Sequence, residues 1–368
     1  MKKFAGVLLV FSIISLCLAG AAPAAPAQKA TRVVKDQMGN EIVIPEKVER
    51  VVISSVWPLA SVYCLYMGST EKLVGLDPAI ISAAENSALV KVFPDIVNIP
   101  SGFAKNGNIN AEELIKLKPD VVLYASGGAE DYEVCTRAGI PAIGFSLSIK
   151  GYNAIDTINS WIELLGEIMQ RDFDTTEFMK YAKGIETMVA DRLKDVPEDK
   201  KPRGMVLHLY DDSRVGVPSG TASWANFWIT AGGGVNVAAN AGTGTASVSM
   251  EQVYEWNPER IFITNFNPGQ PDDLYGNKVG NYDWSSVDAV KNKRVYKMPL
   301  GMYRWYVCNA DSPLTLLWMA KQNHPDLFAD VDLDGEIKSY YKRFYNLELS
   351  DEDLSQIYNP SSAAAAGI

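Results

Sequence analysis

Asn110-Ala111-Glu112-Glu113-Leu114-Ile115-Lys116-Leu117-Lys118-Pro119-Asp120 and Ser249-Met250-Glu251-Gln252-Val253-Tyr254-Glu255-Trp256-Asn257-Pro258-Glu259 carry one pattern twice. Each opens on a residue whose side-chain oxygen suits a helix N-cap. A glutamate two positions on suits the positive first turn. A proline closes the helix, an acid follows, and then comes an apolar strand. Asn110, Glu112, Pro119 and Asp120 thus match Ser249, Glu251, Pro258 and Glu259 at equal spacing.

The surroundings repeat as well. Ahead of the first copy the pattern predicts a strand over Val51–Ser55, a helix over Pro58–Met67 stopped by Gly68, a strand over Leu73–Leu76 and a long loop. Val121–Ala125 then reads as a strand, Glu130–Arg137 as a helix and Pro141–Phe145 as a strand. In the second half Met205–Tyr210 reads as a strand, and Ser223–Thr230 as a helix stopped by Gly232-Gly233-Gly234. Arg260–Thr264 and Arg294–Met298 read as further strands. Alternating strands and helices imply α/β lobes with mostly parallel sheets. Two alternating runs around Gly39-Asn40 add an opening hairpin.

Between the halves, Ile155, Ile158, Trp161, Ile162, Leu165 and Ile168 recur at helical spacing. After Asp174-Thr175-Thr176, so do Phe178, Tyr181, Ile185, Met188 and Val189. The lobes are therefore expected to be joined by helix. The expected division is a leader over 1–27, an N-terminal lobe over 28–150, a helical connection over 151–200 and a C-terminal lobe over 201–360. A disordered tail over 361–368 completes it.

Lys2 and Lys3, an apolar run from Phe4 to Leu18 and small residues up to Ala27 have the order of a secretory signal peptide. The apolar run is short for the ~20 residues that span a bilayer. Leu16 is a poor fit to a lipidation signal at Cys17, so cleavage among Ala21–Ala27 and a periplasmic location are expected. Roughly 340 residues remain, which favours two domains. The net charge of −10 excludes a basic nucleic-acid surface. Of four cysteines, Cys64, Cys135 and Cys308 follow the leader and form no disulfide framework.

These features resemble the periplasmic binding proteins of the siderophore, haem and cobalamin importer family. The marks are the opening hairpin, Val51-Val52-Ile53-Ser54-Ser55, Leu117-Lys118-Pro119-Asp120, Ala231-Gly232-Gly233-Gly234-Val235-Asn236-Val237, Val248-Ser249-Met250-Glu251-Gln252 and Leu317-Trp318-Met319-Ala320-Lys321. The resemblance implies two Rossmann-like lobes bridged by a long α-helix, with a ligand cleft between them. It further implies docking glutamates, here Glu112 and Glu251, that meet arginines of the membrane permease of an ABC importer. A monomer that binds a small metal chelate is expected.

Ligands of open α/β lobes bind beyond the carboxyl ends of strands. Large or polar residues there are Trp57, Phe103, Tyr210, Trp224 and Asn267, and the dense cluster Tyr303, Arg304 and Trp305. Flat rings suit a planar or catechol ligand, and Arg304 suits a carboxylate or an anionic chelate. A ferric siderophore is the first expectation, with a corrinoid or haem as alternatives. His208 reads as an in-strand residue and His324 as a helix end, so no protein metal site or cofactor is expected; the metal would arrive inside its chelate. A Tyr210 or Tyr303 phenolate would suit an open position on ferric iron. Asp330-Val331-Asp332-Leu333-Asp334-Gly335 starts like a calcium loop, but Tyr341 stands where that loop needs a glutamate, so Asp332 or Asp334 reads as a helix cap. A chelatase-like or hydrolytic enzyme, or a sensor without delivery, are the rival classes.

Overall fold

The computed structural model describes residues 30–105, 107–149, 151–171 and 174–365. The expected leader and Cys17 lie outside these residues. Two four-stranded parallel sheets form the frame. The first runs Leu73–Leu76, Val51–Ile53, Val121–Ala125, Ala142–Phe145. The second runs Val235–Asn236, Arg203–Leu207, Arg260–Ile263, Val295–Lys297. By chain order within each sheet, both read 2-1-3-4. Val51, Val52 and Ile53 are buried without interruption, as strands covered on both faces should be.

The repeated sequence pattern turns out to be a latch on each sheet. Asn110 Oδ1 accepts from the Glu112 and Glu113 backbone N–H groups at 2.9 and 3.2 Å, and Ser249 Oγ accepts from Gln252 N at 3.3 Å. Each helix then turns into its proline through a left-handed residue, Lys118 (φ 47°) or Asn257 (φ 38°). An arginine from the start of the first strand takes up the freed carbonyls: Arg50 reaches Leu117 and Lys118, and Arg203 reaches Asn257. The acid after the proline closes the latch. Asp120 accepts from the backbone N–H of Glu49 and Arg50, and Glu259 accepts from that of Arg203.

One face of each sheet contributes to a single apolar cluster that includes Ile53, Leu123, Trp161, Val206, Phe262 and Leu317. The outer faces have separate cores, around Val52, Leu114 and Val122 in the first lobe and around Met205, Ile261 and Trp284 in the second. The helical connection consists of two helices, Ala154–Met169 and Thr176–Leu193, the first ended by left-handed Gln170. The first packs on Leu59–Met67 and the second on Ser312–Asn323. The connection is thus part of the shared core, which couples the lobes through packed side chains.

Three local expectations change. The long loop after Leu76 contains the helices Pro78–Glu85 and Ala88–Val92, capped by Asp77 and Ser87. The expected strand Met205–Tyr210 breaks at His208, and Leu209–Asp211 instead joins Arg214–Ser219 and Gly244–Val248 in an antiparallel sheet. Continued apolar composition hid that break, because periodicity does not register a change of partner strand. Of the expected disordered tail, Ser362–Ala365 forms a 3-10 turn; residues 366–368 lie outside the described residues. Asp332 does cap Leu333–Tyr345, whereas Asp330 pairs with Arg192 at 2.6 Å.

Candidate functional site

In both sheets the strand order switches between the first and third strands, the point beyond which ligands of open α/β lobes bind. On the first lobe, Ser54 follows its strand and donates to Asp131 at 2.9 Å. Asp77 caps the Pro78–Glu85 helix by accepting from Ala79 N at 2.9 Å. Burial pushes the Asp77 carboxyl above its ordinary range, opposed by that helix N–H and by the Trp57 indole. Trp57 itself is half-buried against the shared core.

On the second lobe, the break after Leu207 sets His208 at the strand end. Its Nδ1 lies 3.2 Å from Thr264 Oγ1, and its ring lies 5.3 Å from Phe266 and 5.1 Å from Tyr306. Burial holds His208 down to about 4, with the Arg214 charge adding to the effect, so the ring is neutral near pH 7. Lys297 anchors the loop that carries Phe266, donating to the carbonyls of Thr264, Asn267 and Gly269 at 2.8–2.9 Å.

Arg304 is 0% exposed. Its guanidinium lies 5.0 Å from the Phe266 ring centroid and 5.5 Å from that of Tyr303. It donates to Tyr303 Oη at 3.2 Å and to the Ala364 carbonyl at 2.8 Å, while Nε has no hydrogen-bond partner. Among the described residues no carboxylate pairs with it. A fully buried cation with only neutral partners is costly unless an anion joins it. Tyr303 is also nearly buried, and burial raises its phenol pKa.

Trp224 meets Tyr152 edge-on at 5.2 Å. Tyr152 holds φ 70°, a left-handed conformation that costs a bulky residue energy. The Trp228 indole, on the same helix as Trp224, donates to the Tyr306 carbonyl. Trp57 and Trp224 thus pack with the shared core, and Tyr303 packs with Arg304. The other predicted residues serve the scaffold. Phe103 packs on the outer face of the first sheet with Val52 and Leu114. Tyr210 lies in the outer core of the second lobe and accepts from Trp284 Nε1 at 3.0 Å. Burial lifts its phenol to about 12, which disfavours a phenolate. Trp305 donates to Asp311 at 3.0 Å beneath the loop. Asn267 ties its loop to the His208 carbonyl at 2.9 Å. His208 packs with Phe266 and Tyr306; it was expected inside a strand and stands instead just past a strand's carboxyl end.

Glu112 and Glu251 are exposed on their latch helices. Three residues on, Ile115 and Tyr254 are large apolar side chains left 50% and 39% exposed. Leu114 and Val253 are buried at the matching inward positions. The Glu251 carboxylate is held below its usual range by its own backbone N–H and by the Ser249 hydroxyl.

Among the described residues, no helix is long and apolar enough to cross a membrane, and no cluster of three or more His, Cys, Asp or Glu is arranged to hold a metal. Cys64, Cys135 and Cys308 are free and buried.

Two like parallel sheets joined through a shared helical core are the frame of a two-lobed solute-binding protein. The chain belongs to the periplasmic binding protein family whose model matches residues 60–300. A periplasmic solute-binding protein from Veillonella parvula superposes with a TM-score of 0.78 at 32% identity, covering 90% of this chain and 97% of that one. The molybdate-binding protein MolA of Haemophilus influenzae is 28% identical over 91% of this chain and 94% of its own length. Its molybdate-bound structure matches with a TM-score of 0.74 at 26% identity, covering 87% and 99% of the two chains. Helicobacter pylori CeuE with Ni(II) bound matches with a TM-score of 0.70 at 26% identity, covering 88% and 98%. The family is one of extracytoplasmic substrate-binding proteins of ABC importers, not of enzymes.

Proposed function

We propose that this protein captures a compact anion between its lobes and delivers it to the permease of an ABC importer, with a molybdate-type oxyanion as the best-fitting solute. The observation that carries this reading is Arg304, fully buried with an unpartnered Nε and, among the described residues, no carboxylate paired with it. An oxyanion supplies the missing charge and accepts from the fork of guanidinium N–H groups. Near-complete burial of Tyr303 and Arg304 favours a small solute over a haem or corrinoid, whose wide faces need open rings. Likeness to a molybdate-binding relative supports the same choice. A ferric siderophore remains the second reading, favoured by the half-buried Trp57 and by neutral His208. Delivery runs through Glu112 and Glu251, and export through a leader cleaved among Ala21–Ala27.

Isothermal titration of the mature protein with molybdate, tungstate, sulfate, a ferric siderophore panel, haemin and cobalamin tests the reading. Saturable binding of molybdate or tungstate, recovered unchanged, is expected. Binding of a ferric siderophore with no response to oxyanions would overturn it.

A further inference from the structure

Arg304 has one partner that does not belong to the cleft walls. Its second terminal nitrogen donates to the carbonyl of Ala364, which lies on the 3-10 turn Ser362–Ala365. The route to that contact is short. Helix Asp351–Tyr358 ends at Asn359, and Pro360 prevents its continuation. The Pro360 carbonyl accepts from Gln270 Nε2 at 3.4 Å, and Ala364 N closes the turn on the Ser361 carbonyl at 3.1 Å. The turn packs against the Pro78–Glu85 helix of the first lobe. It thus lies between Arg304 of one lobe and the helix that Asp77 caps on the other.

The segment is Ser361-Ser362-Ala363-Ala364-Ala365. Ala364 is buried, whereas Ser361, Ser362 and Ala363 are exposed. Small side chains bury little apolar surface, so the turn is held mainly by its backbone contacts. The group it offers Arg304 is a neutral carbonyl oxygen. An anionic oxygen at the same nitrogen makes a stronger, charge-assisted bond. A weakly held neutral acceptor seated where a charged one binds better is a displaceable stand-in.

We infer that Ser361–Ala365 is a built-in plug of the cleft, whose Ala364 carbonyl holds the solute's place on Arg304 and withdraws when an anion binds. This rests on the anion reading of Arg304. The plug gives one nitrogen of the buried guanidinium an acceptor while the protein is empty. It also sets a threshold, because the solute must displace it, and apparent affinity falls by the fraction of molecules in which the plug is closed.

The test pairs hydrogen exchange on the intact mature chain with molybdate titration of that chain and of a chain ending at Pro360. The Ala364 amide should be protected in the empty protein and lose protection at saturating molybdate. The shortened chain should bind molybdate about tenfold more tightly. Free-peptide exchange rates at Ala364 in the empty protein would overturn the plug. So would protection unchanged by saturating molybdate, or equal or weaker affinity in the shortened chain. If neither chain binds any oxyanion, the solute reading fails by itself. The plug is then decided by Arg304→Gln in the full chain: faster exchange at Ala364 upholds the contact, and unchanged protection refutes it.

Discussion

The two lobes share one strand order and one latch, yet the groups beyond their strand ends differ in chemistry. The first presents Ser54, Asp77 and Asp131, small or acidic groups that hydrogen-bond within their own lobe. The second presents His208, Phe266, Arg304 and Tyr306, rings around a buried cation. Their outer faces differ too. Beside Glu112, Glu113 pairs with Lys116 at 2.6 Å and Lys118 follows, so the charges balance. Beside Glu251 stand Glu255 and Asp283 with no lysine on the helix, and the Tyr254 hydroxyl donates to the Asp283 carbonyl. Duplication thus kept what holds a lobe together, whereas the proposed recognition groups and the uncompensated acidic charge lie mostly on the second lobe.

The largest expected effect tests where recognition lies. Arg304→Gln should lower oxyanion affinity more than 100-fold, about 3 kcal/mol, by titration calorimetry. Asp131→Asn on the opposite rim should change it less than threefold, about 0.6 kcal/mol. Comparable losses would mean that the lobes share the solute's charge.

Next comes pH. His208 is held down in the folded state, so the unfolded chain takes up its proton first and stability falls as pH drops from about 6.5 to about 4. His208→Asn should remove up to about 3 kcal/mol of that fall in urea melts. Asp77 is raised, so its share has the opposite sign and is lost as pH rises above the ordinary carboxylate value. Asp77→Asn should therefore steepen the net acid loss, and a matching slope in both variants would break the comparison.

Docking should be unequal. Glu251→Ala should reduce binding to the reconstituted permease about tenfold and Glu112→Ala about threefold, roughly 1.4 and 0.6 kcal/mol. The difference should shrink in high salt. Equal losses would show that the neighbouring charges do not matter.

The smallest effect concerns the latch. Asp120→Ala and Glu259→Ala should each cost about 1 kcal/mol in thermal or urea unfolding, with solute affinity retained. Asp120 serves two backbone N–H groups and Glu259 one, so the first should cost slightly more.

Sequence alone determined the duplication, because caps, prolines and apolar strands act through neighbours in the chain. Asn110, Lys118-Pro119 and Asp120 announce a helix, its end and a strand by local hydrogen bonding and fixed φ alone. The residues around Arg304 stood out in the same local way, as aromatics in a glycine-containing loop without helical or strand period. Asp77-Pro78 carried a cap signal for the helix hidden in the supposed loop. What each ring faces was not legible. Phe103 and Trp57 are both large rings in loops, and only the fold turns one to an outer core and the other against the shared core. Likewise Leu207, His208 and Leu209 form one apolar alternation until the partner strands change. The unpaired state of Arg304, and the alanine carbonyl that meets it from 60 residues further along the chain, belong to tertiary structure alone. Burial and ion pairing depend on every chain segment that arrives at a point, and local sequence does not contain that sum.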